Sequence, residues 1–174
     1  MFLFFILLFT TVFGSTWSVD TTYSYINYHG KHLLHSWTGI SKDIGFTLDC
    51  NDSDCTVEAS TNLDKFDSGN DSRDSNMLYY TESLEYPSVS FKTNSFKFNM
   101  DLDRSVDTKG ILSFHGIEKE IPVKLMFSKK DDEFWGTCNF NVSLSDFDID
   151  RPSLLMIKIS DEIDIETKIK LVRD

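Results

Sequence analysis

The stretches IPVKLMFS at residues 121–128 and IDIETKIKL at residues 163–171 decide the fold class. In both, apolar residues recur at every second position, and polar residues fill most positions between them. Successive side chains of a β-strand point to opposite faces, so this alternation predicts strands with one dry and one wet face. Ile44, Phe46 and Leu48 repeat the pattern. Such runs recur at intervals of about 10 to 15 residues, with turn signals between them, which predicts an antiparallel sandwich or barrel.

Residues 70–86 lack this alternation. Ser75 is a residue type that caps helix N-termini, and Met77 and Leu84 follow it before Pro87. We therefore expect one short helix, capped by Ser75 and ended by Pro87, beside a closed antiparallel sheet. No repeat, linker or low-complexity tract divides the chain, so a single domain is predicted.

The composition indicates a large apolar surface to bury. Hydrophobic residues make up 40% of the 174 residues, and 15 residues are Phe. That surface must be hidden either in a solid core or around an apolar ligand. The formal charge of −11 disfavours nucleic acid, because its binding depends on Lys and Arg neutralising phosphates, and it disfavours an anionic membrane surface. A neutral, cationic or apolar partner fits the charge better.

The N-terminal stretch MFLFFILLFTTVFG, residues 1–14, is apolar apart from two threonines. It is shorter than the ~20 residues of a membrane-spanning helix. Val12 and Gly14 place small residues where signal peptidases prefer them. We therefore expect residues 1–14 to be a signal peptide and residues 15–174 to be the mature domain of a periplasmic or secreted protein. An uncleaved hydrophobic strand is the alternative.

The cysteines fit an exported protein. Cys50 and Cys55 flank turn-favouring residues 51–54, and a hairpin there would bring the two sulfur atoms together in an oxidising compartment. Two unpaired thiols at a turn are the alternative. Cys138 lies in phase with apolar neighbours, which predicts a small buried hydrophobe rather than a catalytic thiol.

The sequence contains none of the common catalytic motifs, such as G-x-S-x-G, H-E-x-x-H, a P-loop or G-x-G-x-x-G. His29, His32 and His35 lie close together along the chain, and His115 lies far from them. Imidazoles bind zinc or copper. On a strand, His29 and His35 would share one face and His32 would take the other, and Gly30 disfavours a helix, so this spacing does not bring the three together on a regular element. We favour hydrogen-bonded histidines near a barrel mouth, with a metal or haem site as the alternative.

Several segments, in order along nearly the whole chain after residue 14, resemble the YceI-like family of exported, lipocalin-like barrels. They are Trp17-Ser18-Val19-Asp20, Lys31-His32 with Trp37-Thr38-Gly39, Ser72-Arg73-Asp74 with Met77, Tyr86-Pro87 with Phe91, Gly110 to Val123, and Asp146 to Arg151. The resemblance implies an all-β, eight-stranded antiparallel barrel with one short helix. It also implies an elongated cavity, because structural members of the family hold a polyisoprenoid or a similar amphiphile. Arg73 and Asp74 are expected to form an ion pair or a helix cap.

Seven residues are candidates for ligand binding on this basis: His32, His35, Trp37, Phe46, Phe91, Phe114 and Phe140. The first three would meet a polar headgroup at the mouth of the barrel. The four phenylalanines occupy inward-facing positions and would line the cavity, unless they are plain core packing.

The leading hypothesis is non-catalytic binding or transport of a long apolar amphiphile, a polyisoprenoid or fatty lipid, without a cofactor and without nucleic acid. The alternative is a metal- or haem-binding periplasmic protein that uses His32 and His35. An enzyme on the same scaffold is the third hypothesis, since one fold hosts many functions. The sequence leaves the oligomeric state open, a homodimer included.

Overall fold

The computed structural model describes residues 14–99 and 104–173. Except for Gly14, which begins the first strand, the predicted signal peptide at residues 1–14 lies outside the described residues. Its cleavage therefore stays a prediction.

Antiparallel strands make up most of the described chain. They are β1 (Gly14–Val19), β2 (Tyr25–His32), β3 (His35–Ser41), β4 (Gly45–Asn51), β5 (Asp54–Asn62), β6 (Ser88–Thr93), β7 (Phe96–Lys97), β8 (Ser105–Phe114), β9 (Ile117–Lys130), β10 (Glu133–Ser143), β11 (Ser153–Leu154), β12 (Ile157–Lys158) and β13 (Glu162–Arg173). Eight of these described strands form a ring in the order β1-β4-β5-β6-β8-β9-β10-β13, which closes where β13 pairs with β1. The predicted eight-stranded antiparallel barrel is confirmed.

The last strand, β13, has two partners on one edge. Its C-terminal part pairs with β1, with Arg173 opposite Trp17. Its N-terminal part pairs with β2, with Asp164 opposite His29, and β2 continues into the hairpin with β3. The β2–β3 hairpin therefore extends the wall at one end of the barrel.

The strand register determines which turns share an end of the barrel. The β2–β3 and β8–β9 turns lie at one end, which we call the open end. The β4–β5 and β9–β10 turns lie at the other, which we call the closed end. The β11–β12 hairpin belongs to the open end, because the amide of Ser160 donates to the carbonyl oxygen of Lys31 at 2.8 Å.

Aromatic packing fills the closed end. Phe98 and Phe127 lie with ring centroids 4.2 Å apart, and Trp17 meets Phe134 edge-on at 5.0 Å. The amide of Phe98 donates to the carbonyl of Ser53 in the β4–β5 turn, which fixes this cluster at that end. The closed end is therefore a solid plug.

The structure joins Cys50 and Cys55 by a disulfide across the β4–β5 hairpin. The two residues are direct cross-strand partners, and Cys55 is fully buried. The bond therefore ties the two strands together beside the plug.

The helix α1 spans Asp71–Tyr80, so the prediction that Ser75 caps it was wrong. Asn70 is the N-cap, and its side-chain oxygen accepts a hydrogen bond from the amide of Arg73 at 2.9 Å. Leu84, predicted to be helical, lies beyond the helix and is exposed. Among the described residues, no helix is long and apolar enough to cross a membrane.

Candidate ligand-binding cavity

Above the aromatic plug, the barrel encloses a cavity of about 620 Å³. Its wall is overwhelmingly apolar and draws residues from most strands of the barrel. Val57, Leu125 and Phe127 line it near the plug. It reaches the surface at exposed residues such as His35, Asn76 and Leu154, all of which belong to elements at the open end. The cavity is therefore a pocket with a closed bottom and an accessible mouth.

All seven candidate ligand-binding residues line this cavity. The four phenylalanines come from four different strands: Phe46 from β4, Phe91 from β6, Phe114 from β8 and Phe140 from β10. The rings of Phe91 and Phe140 come from strands that are not neighbours in the sheet, and they are stacked inside the barrel with centroids 6.2 Å apart. These four are only partly buried, whereas Phe98 in the plug is 3% exposed. They face open space, although contact with a ligand stays a prediction.

Two glycines on the β2–β3 hairpin let aromatic rings lie flat against the wall. Gly30 is paired with Trp37, and Gly39 is paired with Tyr28. A side chain on either glycine would overlap the opposite ring. Such aromatic–glycine pairs cover the exposed backbone of the glycine and fix the ring. Trp37 and Tyr28 therefore become part of the cavity lining.

His32 is buried and has a defined structural role. Its Nδ1 accepts a hydrogen bond from the amide of Leu34 at 3.4 Å, and its Nε2 donates to the carbonyl oxygen of Ile157 at 3.1 Å. The ring thereby joins the β2–β3 hairpin to the β11–β12 hairpin. His35 is exposed at the mouth, with its ring 5.6 Å from that of Trp37.

Arg73 and Asp74 are both directed to Ser68 rather than to each other. The Nη1 of Arg73 donates to the carbonyl oxygen of Ser68 at 3.3 Å, and the amide of Ser68 donates to the Asp74 carboxylate at 3.1 and 3.2 Å. The guanidinium also lies 5.4 Å from the Trp37 ring centroid, a cation–π contact. Arg73 thus brings a positive charge to the cavity rim.

The hydroxyl group of Tyr28 is buried near Trp37 and Ser68 without a well-aligned hydrogen bond to any described residue. Burial, and to a smaller extent the nearby Asp74 carboxylate, raises the pKa of Tyr28, so the phenol is neutral at physiological pH. Because the hydroxyl group itself is buried, we assign Tyr28 to the cavity wall through its ring and not through this group.

One face of α1 contributes lining residues that the sequence analysis missed. Arg73, Asn76, Met77 and Tyr80 follow the i, i+3, i+4, i+7 spacing of a helix face, and all four line the cavity. That spacing is visible in the sequence. It was overlooked because a cap at Ser75 would have started the helix too late to include Arg73.

The model of the YceI-like domain matches residues 17–171. The chain belongs to the YceI-like family. No curated protein matches it in sequence. Among solved structures it is similar to BcnA of Burkholderia cenocepacia, with a TM-score of 0.75 and 13% identity over 88% of this chain and 99% of that chain.

It is also similar to a polyisoprenoid binding domain from Saccharophagus degradans implicated in plant cell wall breakdown. That pair has a TM-score of 0.73 and 15% identity, over 91% of this chain and 98% of that chain. The YceI protein of Campylobacter jejuni follows, with a TM-score of 0.60 and 18% identity over 78% of this chain and 84% of that chain. At these identities, the similarity shows the shared fold.

The thiol of Cys138 also faces the cavity of this YceI-like barrel. Burial raises the pKa of Cys138 to about 11. Because the thiolate is the reactive form, the group is nearly inert at neutral pH. Cys138 therefore acts as a small apolar wall residue.

The histidines of this YceI-like protein do not come together as a metal centre. Among the residues that the structure describes, no three His, Cys, Asp or Glu side chains are grouped as metal ligands. His115 is held elsewhere: its Nδ1 donates to the carbonyl oxygen of Phe147 at 2.8 Å, and its Nε2 lies 3.4 Å from the Glu82 carboxylate. His32, His35 and His115 therefore do not form a common metal site.

Proposed function

We propose that this protein binds a long apolar amphiphile, a polyisoprenoid or fatty lipid, inside the barrel and releases it chemically unchanged. The observation that carries the proposal is the apolar cavity of about 620 Å³, closed at one end by aromatic packing. The similarity in fold to a polyisoprenoid binding domain supports the same ligand class.

The cavity size sets the length of the apolar chain. At roughly 30 Å³ for each water-sized atom, the cavity holds about 20 heavy atoms. At ~0.3 kcal/mol for each buried heavy atom, such a chain contributes ~6 kcal/mol, which corresponds to a Kd of tens of micromolar. Short apolar molecules would therefore bind weakly, and a tail of about 20 carbons is needed to reach a Kd of tens of micromolar.

The polar groups at the open end suit a ligand with a hydroxyl or anionic headgroup. Arg73 supplies a positive charge beside Trp37, and the exposed His35 imidazole beside the same ring supplies a hydrogen-bonding group. Among the described residues that line the cavity near the plug, none is charged. The apolar tail therefore enters first, and the headgroup stays at the rim.

Binding without chemistry is the role that the lining favours. Arg73 and Asp150 are the charged side chains among the described lining residues, and both belong to the rim. The ring nitrogens of His32 are engaged with backbone groups, and Cys138 is protonated at neutral pH. A general base or nucleophile is more effective with a pKa near the working pH and a free approach to the substrate.

Export to the periplasm or beyond is part of the proposal. The apolar residues 1–14 support it at the sequence level. The Cys50–Cys55 disulfide supports it as well, because such bonds persist in oxidising compartments.

Native mass spectrometry of protein purified without detergent tests the proposal. We expect an added mass that corresponds to an extractable lipid with a long apolar chain. Ala59 lines the cavity between Phe46 and Phe91, so Ala59→Trp should fill about half of the cavity and strongly reduce the fraction of protein that carries the added mass. Glu58→Trp changes the adjacent, exposed residue and should keep it. A wild-type protein that never carries a lipid, even after incubation with one, would refute the proposal.

A further inference from the structure

Two hairpin tips at the open end expose large apolar side chains. In the β2–β3 turn, Leu33 is 76% exposed and Leu34 is 64% exposed. In the β11–β12 turn, Leu155 is 76% exposed and Met156 is 99% exposed. The hydrogen bond from the His32 ring to the β11–β12 hairpin holds the two tips side by side. We call these four exposed residues the apolar tip surface.

The backbone of the β11–β12 turn makes this choice of residues unusual. Leu155 has φ 53° and Met156 has φ 66°, so both occupy the left-handed region. Turns of this kind favour Asn and Gly, because bulky residues are strained there. The β9–β10 turn at the closed end has a similar backbone, with φ 50° and 64°, and uses Asp131 and Asp132. Neither turn geometry nor solubility explains an apolar pair at the β11–β12 tip.

Charge is distributed in a way that fits a phosphate-bearing surface. Residues 31–36 and 151–160, which carry the two tips, contain no Asp or Glu in a chain with 28 of them. The same segments contain Lys158, together with Lys31 and Arg151, which are paired with the neighbouring carboxylates of Asp164 and Asp161. Charges farther away than ~8 Å are largely screened at physiological ionic strength, so the overall charge of −11 matters less at the tips than this local balance of two ion pairs and the Lys158 cation.

We propose that the apolar tip surface docks on a lipid bilayer and holds the mouth of the cavity against it. Contiguous exposed apolar patches mark membrane or protein contact sites, and apolar side chains flanked by cations suit the boundary between headgroups and acyl chains. Ser153 and Leu154 line the cavity and belong to the same hairpin as the tip. Exchange of a lipid at this contact rests on the proposed function, whereas the docking itself does not.

Flotation of the mature domain, residues 15–174, with phosphatidylcholine vesicles tests the docking without the apolar residues 1–14. The wild-type protein should float with the vesicles. The variant Leu155→Asn with Met156→Gly carries the residues that the turn prefers, so it should fold at least as well and bind vesicles roughly tenfold or more weakly. The variant Leu33→Ser with Leu34→Asn should show a similar loss.

The matched control changes the equivalent turn at the closed end. Asp131→Asn with Asp132→Gly should leave flotation unchanged. A wild-type protein that stays with the soluble fraction would overturn the docking proposal, as would equal flotation of the tip variants. If the wild type instead sediments as a dimer that the tip variants dissociate, and it does not float, the surface is a contact between copies and the docking is refuted. The mass of co-purified lipid is measured separately, so failure of docking leaves the proposed function standing.

Discussion

At Gly39 and Gly30, the absence of a side chain decides where two aromatic rings of the cavity lie. We predict that Gly39→Ala costs ~1–3 kcal/mol in the free energy of unfolding, because the added methyl group forces the Tyr28 ring out of its place. Gly136→Ala is the control, since its Cβ would sit at an ordinary 3.7 Å from Phe127. It should be neutral or slightly stabilising. Urea denaturation measures both, and equal effects would contradict this account of the hairpin.

The thiol of Cys138 reports on the cavity from inside. Burial raises the pKa of this group from 9.0 to about 11. The fraction of Cys138 present as thiolate at pH 7 is therefore roughly 100-fold smaller than for a thiol with a pKa of 9.0. We predict that iodoacetamide alkylates Cys138 slowly and that the rate rises about tenfold for each pH unit until close to pH 11. Bound lipid should lower this rate further. A rate that levels off near pH 9 in a mass-spectrometric time course would show that Cys138 is not buried.

Single residues of the cavity wall were predictable because alternation in a strand assigns each side chain to a face. Phe46 and Phe140 were placed inward on that basis, and both line the cavity. Alternation does not tell whether an inward ring meets another side chain or open space. Phe98 and Phe134 fill the plug while Phe46 and Phe140 border the void, and that difference depends on how the barrel closes.

At the level of the helix, the cap position is the point on which sequence and structure disagree. We predict that Asn70→Ala lowers the free energy of unfolding by ~1 kcal/mol, because it removes the side-chain acceptor for the amide of Arg73. Ser75→Ala lies within the helix and should be neutral or slightly stabilising, since Ala has the higher helix propensity. Thermal unfolding compares the two variants. A larger loss from the Ser75 change would restore Ser75 as the cap.

The sequence pattern predicts a helix in this segment but does not identify which residue caps its N-terminus. Asn70, Ser72 and Ser75 are all suitable cap residues, and α1 has no buried residue that would fix its register by a strong apolar face. A helix of this length is marginal alone and depends on tertiary contacts. Those contacts include Arg73 over Trp37, which lies far away in sequence. The local pattern therefore carried too little information to choose among the caps.

For the whole molecule, the closed barrel was predictable and the register that closes it was not. Alternating strands and the family segments predicted eight antiparallel strands, and the ring confirms them. Closure depends on β13 pairing with β1, and the extended wall depends on β13 pairing with β2; both registers join distant parts of the chain. The β11–β12 hairpin was also missed, since its two-residue strands are too short to show alternation. The β13–β2 pairing and the β11–β12 hairpin shape the open end, where the proposed ligand and the proposed bilayer meet.

The central claim is that the volume above the plug, not the surface of the barrel, binds an apolar chain. A titration with isoprenoid alcohols of increasing length tests it most directly. Each five-carbon unit should tighten the Kd roughly tenfold until the chain reaches about 20 carbons, where the gain should stop. In Ala59→Trp, about nine extra heavy atoms occupy the cavity. The Kd should therefore stop tightening at a chain that is about two five-carbon units shorter. A Kd that does not depend on chain length, or a limit that Ala59→Trp leaves in place, would contradict the claim.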